Sequence, residues 1–206
     1  LQLGKAKGGH CVMCTPSGHF PHKWAVMFLA AVGFWNFLGA GVFGFLINLP
    51  VVSYFEIGTQ FTANHAHGAL MGVYGMLAMG FFVFVARYFI PPDRGSERAM
   101  AWAFWGLNLG LAWMVFVNLF PAGALQFADS VQHGYWHARL PEFFATPAMR
   151  VIEWLRLPGD LFFIVAGIGP IVYLAVRMWL NRKRYLKGEG GGKPEDFVQF
   201  YEGEAP

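Results

Sequence analysis

His65 and His67 are the residues of this sequence best placed to do chemistry. They stand two apart in Thr62-Ala63-Asn64-His65-Ala66-His67-Gly68, inside a long apolar stretch. An ionisable side chain within a membrane-spanning helix is a functional candidate, because lipid gives it no solvation. On a helix of 3.6 residues per turn, a two-residue step rotates about 200°. The two imidazoles therefore point to nearly opposite sides. They are poorly placed to share one ion, as a pair four apart would. They are well placed to hold two separate centres, and neutral imidazole is a common axial ligand of haem iron. Gly68, Gly72, Gly75 and Gly80 leave room on this helix for a flat macrocycle or a close neighbour. Two other readings fit the spacing alone. The histidines would serve as hydrogen-bond partners between helices, or, with Glu56, as a charge relay in a transporter.

The elements that must position this pair are legible from composition. The 206 residues are 56% hydrophobic and 18% aromatic, with 13% charged, about half the charged share of a soluble domain. The apolar residues fall into four blocks, near Trp24–Leu49, Gln60–Ile90, Ala99–Phe120 and Leu157–Leu180. Each is long enough to cross a bilayer as a helix, and the runs are continuous rather than alternating, which argues against barrel strands. The predicted fold class is thus all-α, a four-helix integral membrane bundle. Pro50 with Gly58-Thr59, Pro91-Pro92-Asp93 and Pro121 are read as the breaks between blocks. Ala122 to Arg139 then continues the helix or lies at the interface, where Tyr135, Trp136, His137 and Arg139 suit the headgroups.

Twelve of the fifteen Lys and Arg fall on one side of this arrangement, and Arg139, Arg150 and Arg156 on the other. That bias predicts cytoplasmic termini and a cytoplasmic Pro91–Arg98 loop. The net charge of +3 then reflects topology, and no nucleic-acid partner is expected. The expected organisation is a cytoplasmic segment 1–22, a membrane region 23–186 with an extracytoplasmic segment near 121–150, and a flexible, Gly-rich tail 187–206. Cys11 and Cys14 form C-x-x-C without a following His, so the c-type haem attachment motif is absent. A reducing compartment disfavours a disulfide there. With His19 and His22 the ligand types suit zinc, but an ordinary loop is the preferred reading.

Four longer segments carry a family resemblance. They are Phe34-Trp35-Asn36-Phe37-Leu38-Gly39-Ala40-Gly41-Val42-Phe43-Gly44-Phe45-Leu46-Ile47-Asn48-Leu49-Pro50, Asn64-His65-Ala66-His67-Gly68-Ala69-Leu70-Met71-Gly72-Val73-Tyr74-Gly75, His133-Gly134-Tyr135-Trp136-His137-Ala138-Arg139 and Glu153-Trp154-Leu155-Arg156-Leu157-Pro158-Gly159-Asp160. Together they resemble the quinol-dependent nitric oxide reductases of the haem-copper oxidase superfamily, over about Trp24 to Arg184. The resemblance implies two b-type haems, with His65 the axial ligand of the high-spin haem at the catalytic site and His67 that of the low-spin haem. It implies a quinol site at Asp160, with menaquinol or ubiquinol as donor. On residue chemistry alone Asp160 would be a helix-start carboxylate. The implied reaction reduces two nitric oxide molecules to nitrous oxide and water at the high-spin haem and a non-haem iron.

Members of that family have about a dozen spanning helices, so this chain is expected to be the C-terminal part of a longer or split protein, inactive alone. The non-haem iron ligands and the second low-spin ligand are expected upstream. The expected setting is a bacterial or archaeal cytoplasmic membrane, with lipid and the upstream helices as partners. Ile57 departs from the polar residue or His expected after Glu56. A nitric oxide dismutase-like relative and a non-catalytic haem-binding or assembly subunit are the alternatives, and retention of Asp160 leans against the former.

Overall fold

A computed structural model describes residues 22–187. They form α1 (Lys23–Ile47), α2 (Pro50–Glu56), α3 (Gln60–Phe89), α4 (Arg94–His133), α5 (Pro141–Phe144) and α6 (Pro147–Arg184), the last with a turn at Leu155. There is no strand among the described residues. α1, α3, α4 and α6 are the four helices long and apolar enough to cross a membrane. The protein is a multi-pass helical membrane bundle. Cys11, Cys14 and His19 lie outside the described residues, as do nearly all of the segments 1–22 and 187–206.

The helix limits follow local chemistry. Pro50 opens α2, where its missing N–H is no loss. Thr59 caps α3, its hydroxyl accepting from the Phe61 N–H at 3.3 Å. Pro91 and Pro92 end α3, and Asp93 starts α4 with a capping box. The Ser96 N–H donates to Asp93 Oδ1 at 2.8 Å, and the Asp93 N–H donates to Ser96 Oγ at 3.2 Å. Gly134, at φ +97°, ends α4.

Pro121 does not end the third span, contrary to expectation. α4 runs through it to His133. The reason is a widened π turn over Met114–Leu119, in which the Phe120 N–H donates to the Val115 carbonyl five residues back. A proline normally loses a bond to, and clashes with, the carbonyl four back. Where the ladder already steps by five, both penalties fall. Pro170 follows the π turn Phe163–Ile168 of α6 in the same way. The π turns of α1 (Asn36–Val42) and α3 (His67–Gly75) are instead rich in glycine.

Packing centres on α1, α3 and α4, whose Phe28, Trp35, Met76, Met100, Leu107 and Leu111 are buried, together with Leu174 of α6. α1 and α3 meet backbone to backbone: a Cβ on Gly39 would lie 2.5 Å from the Gly68 carbonyl carbon. Gly72 takes the Trp35 side chain and Gly80 the Phe28 side chain. Three of the four glycines of α3 therefore serve a close helix rather than a macrocycle. α6 lies along α4 just as closely, with Gly106 against the Ala166 backbone. Small residues at crossings are how helices associate where lipid removes the hydrophobic driving force.

Lys23, Arg87, Glu97, Asp93 and Arg177 meet at one end of the bundle, so the spans alternate in direction. Arg139 is at the other end. There it clamps α2, donating to the carbonyls of Phe55 (3.2 Å) and Ile57 and stacking on Tyr135 at 3.7 Å.

Candidate functional site

His65 lies in the α-helical start of α3, and His67 is the first residue of its π turn. Ala66 and His67 keep helical dihedrals, φ −60° ψ −43° and φ −63° ψ −46°, so the rotation of about 200° between the two rings survives. Both side chains are half-buried. His65 faces α1: its Nδ1 lies 2.9 Å from the Gly39 carbonyl oxygen. Its ring fills the space left by Gly44, where a Cβ would stand 2.8 Å from Cε1. His67 Nδ1 lies 2.8 Å from the Ala63 carbonyl oxygen, one turn back on its own helix.

These two contacts settle the tautomers. A carbonyl oxygen only accepts, so each neutral ring carries its proton on Nδ1 and keeps the lone pair on Nε2. An Nδ1–H donated to a backbone carbonyl is the usual outer support of a histidine that ligates metal through Nε2, fixing ring orientation and raising basicity. The glycine cradle under His65 adds a steric fix. The pair thus suits axial ligation of two separate irons, one on each side of α3.

Asp160 is not at a helix start, contrary to the reading from residue chemistry alone. It sits a full turn past the break at Leu155 of α6 and pairs with Arg156, Nε to Oδ2 at 3.0 Å, with both side chains partly exposed. The structure ties it to Arg156 and to neither histidine. The neighbouring Gly159 packs on Trp113 of α4.

Glu56 is buried at the end of α2, where it accepts from the Thr62 hydroxyl at 3.0 Å. Burial pushes its carboxyl above the usual range, although the Thr62 bond and the charge of Arg139 pull the other way. Ile57 leaves its own carbonyl to Arg139 and Tyr135. His22 stacks on Phe84 and Tyr88, with ring centroids 4.7 and 5.9 Å away. Sequence reasoning missed Asn108, which accepts from Trp35 Nε1 at 3.0 Å and ties α4 to α1. It also missed Asp129 as a partner of His133 and His137, although the spacing D-x3-H carried the signal.

Residues 7–162 match the sequence profile of the family described as cytochrome c and quinol oxidase polypeptide I. The chain belongs to that family. It is also similar to a nitric oxide reductase subunit of Stutzerimonas stutzeri, 30% identical over 171 residues, a match covering 75% of this chain and 32% of that protein. The chain therefore spans about a third of that relative's length. Haem and metal cofactors go with an oxidoreductase family of this kind, and both histidines and Asp160 fall within the matched residues.

Proposed function

We propose that this chain supplies one axial ligand to each of two b-type haems in a quinol-driven nitric oxide reductase. His65 is assigned to the high-spin haem and His67 to the low-spin haem. The observation that carries the reading is that both rings present Nε2 as a lone pair while Nδ1–H is held by a carbonyl. The haems, with a non-haem iron held by helices beyond this chain, would supply the one-electron chemistry that turns two nitric oxide molecules into nitrous oxide and water. The residues here hold, orient and tune. Gly44 and the Gly39 carbonyl fix the His65 ring in position and tautomer, and the Ala63 carbonyl does so for His67.

Asp160 is assigned to the quinol. Arg156 occupies Oδ2 and leaves Oδ1 as an acceptor for a quinol hydroxyl. The basic end of the bundle is assigned to the cytoplasm, with both chain termini there, in a bacterial or archaeal inner membrane.

Reduced-minus-oxidised spectra of the complete protein test the ligand assignments. Replacing His67 with Ala should remove the low-spin signal and keep the high-spin one, and His65→Ala should do the reverse. Two variants that keep both haems would sink the assignment. Asp160→Asn should lose more activity with quinol than with an artificial reductant, and equal losses would place Asp160 outside the quinol site.

A further inference from the structure

We propose a divalent metal site, with zinc the ion that fits best, formed by Asp129, His133 and His137 at the end of the bundle away from the basic cluster. Asp129 and His133 stand four apart on the last turn of α4, so their side chains share a face. Gly134, in the left-handed region at φ +97°, turns the chain back. The His137 N–H then donates to the Gly134 carbonyl at 3.1 Å, starting the 3-10 turn His137–Arg139. That reversal lays His137 over His133, with ring centroids 4.9 Å apart.

Both imidazoles present Nδ1 to one carboxylate. His133 Nδ1 lies 2.9 Å from Oδ1 and His137 Nδ1 lies 2.7 Å from Oδ2. One atom from each of the three residues lies within 4.8 Å of the others. Zinc binds such nitrogens and oxygens at about 2.0–2.2 Å, so tetrahedral ligand atoms stand about 3.3 Å apart. The two N···O pairs need to open by about half an ångström around an ion of that size. The histidine side chains, 55% and 49% exposed, are free to give that much, whereas Asp129, at 12%, is the fixed ligand. Two neutral imidazoles and one carboxylate leave a net charge of −1, matched to a dication, and a fourth position open to water.

The surroundings hold the site still without competing for it. Arg139 bonds Ser130 Oγ at 3.1 Å and stacks on Tyr135, which pins the turn on either side of Gly134. An ion here would clip the end of α4 to the reversed chain, beside the Arg139 clamp on α2.

The test uses the complete haem-loaded protein carrying Cys11→Ser and Cys14→Ser, so that neither of this chain's thiolates contributes. After chelator treatment it is dialysed against zinc, its zinc content is measured, and the zinc X-ray absorption edge is recorded. We expect an N/O-only shell with imidazole scattering. His133→Gln and His137→Gln should each weaken the binding of about one equivalent by at least tenfold, since even partners outside the ligand shell carry that cost. Both substitutions fall on exposed rings, and an unchanged haem spectrum checks that they fold. Equal zinc affinity in the parent and either variant overturns the site, as does a parent that binds no zinc.

Discussion

At the residue scale, the ring of His65 is set by groups that carry no side chain. Gly44→Ala would place a methyl 2.8 Å from Cε1, and the ring, being a side-chain tip, must rotate. With the ligation proposed above, we expect the fold to lose about 1 kcal/mol while the high-spin spectrum changes and the low-spin spectrum does not. Gly39→Ala differs because its Cβ meets the Gly68 backbone. It should cost about 1–3 kcal/mol, read as a lower melting temperature, and disturb both haem signals. Arg139→Gln removes donors from the carbonyls of Phe55 and Ile57 and should cost about 1–3 kcal/mol, with proteolysis of the α2 segment as the local readout. The histidine pair was legible because its spacing alone fixes the angle between the rings. The carbonyls that hold the rings were not, since every residue has one and only the crossing of α1 and α3 selects Gly39.

At the scale of elements, the four spans were legible from apolar run length, and Pro50 and Pro91-Pro92-Asp93 as breaks between them, whereas the short helix α2 was not. The far ends of the spans were less legible. Pro121 reads as a breaker only if the helix before it is a regular α-helix, and the π turn at Met114–Leu119 removes that premise. Pro121→Ala should therefore change stability by less than about 1 kcal/mol, well short of the ~3 kcal/mol penalty of proline in a regular helix interior. A large gain in melting temperature would show that the ring is strained there after all. The four-residue repeat Gly68, Gly72, Met76, Gly80 belongs to the same physics. Four residues overshoot an α turn and fall short of a π turn, so alternating the two keeps one face of α3 on α1.

At the scale of the whole molecule, one charged cluster joins α1, α3 and α4. Glu97 accepts from Arg87, which is 1% exposed, and from Trp24 Nε1 at 2.9 Å, and lies 3.3 Å from Lys23. Glu97→Gln removes the carboxylate charge from its pair with the buried Arg87 and should cost about 3–5 kcal/mol, seen as loss of folded protein in detergent. The Asp93–Arg177 pair, 2.8 Å apart, closes α6 onto the same end. Burial alone would raise the Asp93 carboxyl, but the Arg177 and Ser96 bonds outweigh it and hold it below the usual range. A carboxyl lowered by folding adds stability above its unfolded value of about 3.9, and that stability is lost as pH falls through the lower folded value. The contribution of Asp93 to the melting temperature should be constant from neutral to mildly acid pH and be lost below about pH 4, so that the fall there is shallower in Asp93→Asn. The Asp93–Arg177 pair joins residues 84 positions apart, and no local pattern announces it, whereas the bundle class followed from composition.

The two histidines also answer to different structures. His67 is held by a carbonyl of its own helix, so its donor strength travels with α3 as a rigid body. His65 is held by a carbonyl of α1, so any tilt between α1 and α3 stretches or shortens that bond and alters how strongly the imidazole donates. Bilayer thickness, hydrostatic pressure and neighbouring subunits all act on helix tilt. With the haem ligation proposed above, they would tune the midpoint potential at His65 while leaving the one at His67 nearly untouched.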